Sequence, residues 1–291
     1  MVANGAGRRG RGAALRTAAL CLAVLGGNAF GQIGVSSFLL HDRVLQCEAV
    51  ELTLRITNDG AAPIVIGPDG NATIHVRAER QPGYPVSHNP GGVRTESVTV
   101  LPRQTGTVSM DISQSHALGR TGPYTIWASL EYEGDFFGAG RLFLDVVPGF
   151  EVSEMTVSVV DEKGSARRRI SLRTLSRESG QHLYLRVDST SDSICYGIFD
   201  LGRYLGFDPP SMRIDASGQI HVLHQSRPLR YTHSVHTGLG YPQDSTFYTR
   251  GNQAAEIRLD DEGAGYVYGV VPYEGNISTE RPEIRSFNPF E

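Results

Sequence analysis

Four of the chain's nine histidines fall within QIHVLHQSRPLRYTHSVH, Gln219 to His236, as two H-x-x-H pairs: His221 with His224, and His233 with His236. Imidazole is both the commonest zinc ligand and a base that titrates near neutrality, so this stretch holds the densest reactive chemistry in the sequence. Ser226-Arg227-Pro228-Leu229 is a good turn, and a loop of two or four residues there predicts a β-hairpin whose paired residue numbers add to 455. That register gathers Ile220, Val222, Tyr231 and Val235 on one face, with Gln219, Gln225, Arg230, Thr232 and Ser234 mostly on the other. Side chains alternate along a strand, so the four rings cannot converge within the hairpin. The expected pairs are His224 with His233 on the apolar face and His221 with His236 on the polar one. Each pair would be diagonal, with Cβ atoms about 7 Å apart, and a metal would need a third ligand from elsewhere. A three-residue loop would instead oppose His221 and His233 directly. The reading favours hydrogen-bonded core histidines at His224 and His233, surface residues at His221 and His236, no metal and no cofactor.

Other chemistry has less to stand on. No G-x-S-x-G elbow, P-loop, H-E-x-x-H or dinucleotide fingerprint occurs. Asp188, Asp192 and Asp200 imitate a calcium loop, but Ser193 stands where the turn glycine belongs and no Glu closes the motif. Glycosidase chemistry needs two carboxylates across a cleft, and Glu131, Glu133, Asp135, Asp260, Asp261 and Glu262 are available without a spacing that selects two. Tyrosines in the second half could line a sugar platform, although tyrosine is also a favoured strand residue. Cys47 and Cys195 lie in apolar runs, VLQCEAV and SICYGIF, and read as buried free thiols, because spacing alone cannot pair them.

The elements that would position these groups are strands. Glu51 to Thr57 reads E-L-T-L-R-I-T with apolar residues at every second place, and Asn58-Asp59-Gly60 breaks it. Similar alternation runs through 72–78, 96–101, 107–112, 124–132 and 140–147, and no long 3.6-residue stripe appears after the N-terminal region. The expected class is all-β. "LTLRITNDGAAPIVI" followed later by "GPYTIWASLEYEG" resembles bacterial extracellular immunoglobulin-like sandwich modules; the resemblance implies such a sandwich over 32–149, with Tyr124 as a corner bonded back to the backbone. Trp127 would face the opposite side. Beyond Val147-Pro148-Gly149, RIDASGQIHV recurs as RLDDEGAGYVYG, 45 residues on, with a fainter copy at ESGQHLYLRV. These units are similar to β-propeller blades, and predict a domain over 150–275 of two to three blade-like antiparallel repeats. One chain holds too few to close a ring, so they stack in an open or sandwich-like way or several chains complete a ring, the first being favoured because an open propeller edge invites aggregation.

Residues 1–31 have the three-part layout of a secretory signal peptide: four arginines without an acid, the short apolar run TAALCLAVL, then GGNAFG. Its removal leaves 23 basic against 31 acidic residues, a net charge of −8. Such a balance argues against nucleic-acid or anionic-membrane partners. No transmembrane segment is expected in the mature chain, and 276–291 is expected to be a flexible tail. The reading is a secreted, periplasmic or cell-surface module that binds a protein or glycan without catalysis. The alternative is a glycan hydrolase with its site near His221, His236 and neighbouring acids.

Overall fold

The computed structural model describes residues 33–80, 83–88, 97–161, 164–190 and 194–273. The residues of the signal-peptide reading, Asp192 and the tail lie outside them. The chain is all-β. Its first half contains β1 (Ile33–Leu39), β2 (Arg43–Leu45), β3 (Glu51–Asn58), β4 (Ile64–Ile66), β5 (Ala72–Arg80), β6 (Val98–Val100), β7 (Gln104–Asp111), β8 (Gly122–Tyr132) and β9 (Asp135–Val147). They form a three-stranded sheet, β1-β3-β7, and a six-stranded one, β2-β9-β8-β5-β4-β6. Alternation is the cause: Leu52, Leu54 and Ile56 of β3 are fully buried in one core with Ile64, Ile126 and Leu130 from the other sheet. Each such burial is worth roughly 1.5–3 kcal/mol. Asn58 ends β3 because its amide donates to Ala62 O and Val100 O while its Oδ1 accepts from Gly60 N–H, satisfying a backbone that is leaving the ladder.

Tyr124 occupies the corner position expected of it. Its buried hydroxyl donates to Arg120 O at 2.6 Å, fixing the loop that enters β8. Trp127 lies on the outer face, with the Arg77 guanidinium 5.5 Å from its ring centre.

At Val147-Pro148-Gly149 the core changes. β10 (Phe150–Asp161), β11 (Gly164–Arg177), β12 (Gly180–Ser189) and β13 (Cys195–Arg203) form a meander in that order. β14 (Ser211–Ile214), β15 (Ile220–Arg227), β16 (Arg230–His236), β17 (Pro242–Arg250) and β20 (Val270–Pro272) form a second sheet, with β18 (Glu256–Leu259) and β19 (Gly265–Tyr268) as a separate hairpin. Ile170, Leu172, Leu183, Leu185, Val187 and Phe199 from the meander share a core with Met212, Ile220 and Val222. Arg168 is buried within β11 and donates to Gly238 O at 3.1 Å. No helix among the described residues is long and apolar enough to cross a membrane.

The D-x-x-G repeat is local and real. Asp215 and Asp260 each accept two hydrogen bonds on Oδ1 within their turns, and Gly218 and Gly263 hold φ of 82° and 81°. Only glycine enters that region without strain. The two turns adjoin, Ala216 N–H donating to Gly263 O at 2.9 Å, so the repeated units lie against one another.

Candidate functional site

The β15–β16 hairpin forms where expected but one step out of the expected register. Ile220 pairs with His236, Val222 with Ser234 and His224 with Thr232, so paired numbers add to 456. The tight turn is Pro228-Leu229 between the paired Arg227 and Arg230, and an irregularity between Gln225 and Arg227 shifts the ladder by one. A one-residue slip turns one strand's side chains to the other face. The pairs are therefore re-sorted: His224 and His236 share one face, His221 and His233 the other. The predicted partition into a core pair and a surface pair is corrected too, since all four are buried. The meander covers the His224 face, and the β18–β19 hairpin covers the other through Leu223, Tyr231, Ile257 and Val267.

His221 and His233 join Asp215 in a chain. Asp215 Oδ1 is committed to Ser217 and Gln219, leaving Oδ2 to His221 Nε2 at 3.1 Å. A carboxylate only accepts, so Nε2 carries the proton and His221 Nδ1 accepts from His233 Nε2–H at 3.1 Å. The rings are nearly coplanar, 13° apart with centroids at 5.4 Å, as an in-plane N–H···N bond requires. Burial alone would raise the Asp215 carboxyl, but bonds from Ser217, His221 and Gln219 hold it below its usual value. Burial, then the His221 field, depresses His233 to about 4.

This order of acid, imidazole and imidazole looks like a proton relay, yet its side chains are buried away from solvent. A Cβ placed on Gly265 would stand 2.8 Å from His221 Nε2, so the β19 backbone lies directly over the ring. Replacing Gly265 by Ala should therefore push His221 off Asp215 and cost about 1–3 kcal/mol, read as a lower urea midpoint. An unchanged midpoint would mean that β19 does not roof the ring.

On the opposite face His236 Nδ1 donates to Gly240 O at 2.8 Å and its Nε2 has no partner. Neither His224 nitrogen makes a hydrogen bond of good geometry, although the Arg203 backbone lies near. Burial depresses both to about 4, keeping them neutral. No group of three or more potential metal ligands forms among the described residues. The carboxylates weighed for glycosidase chemistry are divided between the β8–β9 hairpin turn and the β18–β19 turn, where Asp260 caps its own backbone.

Among the described residues, two clefts elsewhere bear on function. One, about 170 Å³, sits where the two halves meet and is lined by His41, Cys47, Glu48, Glu51, Tyr184 and Asp200, among others. Its acids are occupied. Glu48 pairs with Arg177 and accepts Leu45 N–H at 2.7 Å, while Asp200 holds His182 at 2.9 Å and accepts Gly202 N–H. Burial outweighs these contacts for Glu48 and leaves its carboxyl above the usual range; burial also lowers His41. The second cleft, about 550 Å³, opens at one end of the first half between Arg80, Tyr84, Pro85, Val86, Ser87, Ala117, Arg120 and Tyr124. Arg80 is anchored through Nε and Nη2 to Thr121 O, whereas Arg120 and Tyr84 are exposed. Sequence reasoning missed this cleft because its lining comes from the end of β5, the start of β8 and two separate loop segments with no shared motif.

No family model matches the chain, and no curated protein matches its sequence. Among solved structures it is similar to the sporulation control protein Spo0M from Bacillus subtilis, with 12% identity and a TM-score of 0.26 over 55% of this chain and 80% of that one. It is also similar to the YadV chaperone, with 10% identity and a TM-score of 0.23 over 74% of this chain and 98% of that one. Likeness at that level carries no argument about fold or function.

Proposed function

We propose that the protein is a secreted or envelope-associated binding module that takes an acidic glycan in the Arg80–Tyr84–Arg120 cleft, with no catalysis of its own. The observation that carries this reading is the lining. An otherwise acidic chain places two arginines, two tyrosines and a proline around about 550 Å³, with no carboxylate among the described lining residues. That volume falls within the roughly 300–1,000 Å³ usual for ligand sites, and the junction cleft falls below it. Arginine offers paired donors to a carboxylate, and tyrosine offers a flat apolar face with a polar tip. In this reading residues 32–149 are an immunoglobulin-like sandwich carrying the site at one end, and the second domain is its support. Burial of His221 and His236 counts against the hydrolase alternative.

The test is titration of the full chain with a uronate oligosaccharide, a neutral oligosaccharide of equal length and an oligoglutamate peptide. The uronate should bind and the neutral sugar should not, and Arg120→Glu should weaken binding by roughly tenfold or more, the effect of reversing one charge-assisted contact. Binding that ignores Arg120→Glu would overturn the site. Binding of the peptide alone would replace the glycan by a protein partner.

A further inference from the structure

We propose that Cys47 and Cys195 form a disulfide that fastens the two halves of the molecule, with Cys47 as the attacking thiol and Cys195 as the resolving one. The expected buried, unrelated thiols are not what the fold produces. Cys47 is exposed, third in the turn Leu45 to Glu48, which is closed by Glu48 N–H donating to Leu45 O at 3.0 Å. Its φ of 74° is one that a non-glycine residue holds only under constraint. Cys195 opens β13, roughly 150 residues later, on a strand of the other half.

Three contacts bring them together. Gln46, beside Cys47, accepts from Arg186 Nη1 at 3.3 Å. Arg186 Nε donates to Asp188 at 2.8 and 2.9 Å, and Asp188 is paired directly with Cys195 across β12 and β13. Directly paired residues project to the same face, so Cys195 stands on the face that the Gln46 turn reaches. Both are free thiols in the structure, close enough for each to shift the other's ionisation, and the Cys195 thiol donates to Gly197 O at 3.7 Å. Cys47 shares the junction cleft with Gly197 and Ile198, which gives a reagent access to it.

The roles follow from environment. Cys47 is exposed and lines the cleft, whereas Cys195 is half-buried on its strand, and the neighbouring Cys195 and then the Arg186 charge favour the Cys47 thiolate. Exchange rates follow thiolate fraction and access. The oxidant is a disulfide, either small-molecule or protein. Cys47 Sγ attacks one of its sulfurs, forming a mixed disulfide and expelling one thiolate. Cys195 Sγ then attacks Cys47 Sγ and expels the second. One donor disulfide becomes two thiols, and two cysteine thiols become one S–S bond, their protons and two electrons ending on the donor.

The test is peptide mapping of the full chain without reductant after equilibration with oxidised and reduced glutathione. A Cys47–Cys195 linked peptide should accumulate, Cys21 should remain outside it, and the oxidised protein should show a higher urea midpoint than the reduced one. Cys195→Ser should accumulate glutathione on Cys47, while Cys47→Ser should leave Cys195 largely unmodified. Stable glutathione adducts on wild-type Cys47, or its pairing with Cys21 or a second copy, would overturn the proposal. Faster modification of Cys195 than of Cys47 would overturn the assigned order.

Discussion

Between pH 7.5 and pH 5 the protein is expected to lose about 6 kcal/mol of stability through His224, His233 and His236 alone. Each is depressed to about 4 in the folded state, chiefly by burial, and returns to its ordinary value near 6.5 when unfolded. Their stabilisation is complete above pH 6.5. As pH falls toward 4, the unfolded chain binds protons that the fold excludes, at up to about 1.4 kcal/mol per pH unit for each ring. His116 shifts the same way; Glu48, with a raised carboxyl, works in the opposite sense. Domains are typically stable by only about 5–15 kcal/mol, so cooperative acid unfolding near pH 5 is the expected result. Urea midpoints at pH 7.5, 6 and 5 measure it, and equal midpoints would refute burial of neutral rings. His224→Leu should remove about a third of the slope. At pH 7.5 it should also raise stability by about 1 kcal/mol, because a buried ring whose nitrogens make no good hydrogen bond gives way to a hydrocarbon.

Replacing Arg177 by Met should cost about 3–5 kcal/mol, the range for removing one member of a buried ion pair. Arg177 is 6% exposed at its side chain, and every arm of its guanidinium is used. Nε donates to Tyr184 Oη at 2.8 Å, Nη1 to Arg43 O and Nη2 to Glu48. Its partners lie on both halves of the chain, around the small apolar cluster of Leu45, Leu175 and Tyr184. Methionine would keep much of the stem packing but leave Glu48 without a counter-charge. Urea unfolding should then show a lowered midpoint and a split into two transitions as the halves uncouple. Glu48→Gln, which keeps an acceptor for Leu45 N–H, should cost less. A loss below about 1 kcal/mol for Arg177→Met would mean the guanidinium is solvated, as surface pairs are.

Much of the architecture was legible in the chain because alternation at period two is written in neighbouring residues. Leu52, Leu54 and Ile56 announce a buried face, Asn58-Asp59-Gly60 announces its end, and D-x-x-G announces two turns that the fold repeats almost atom for atom. Alternation also determined that the four hairpin imidazoles cannot meet at one point, and they do not.

What tertiary structure decided was register, coverage and long-range meeting. The ladder shifts by one between Gln225 and Arg227, next to the turn at Pro228-Leu229, and that step exchanged the histidine partners. Both faces of β15 and β16 are covered because distant segments, β13 on one side and β18–β19 on the other, pack onto them. No local pattern carries that information. Glu48 and Arg177, like Cys47 and Cys195, are far apart in the chain and adjacent in the fold, since hydrophobic burial specifies which faces meet and only the assembled sheets fix which polar groups meet with them.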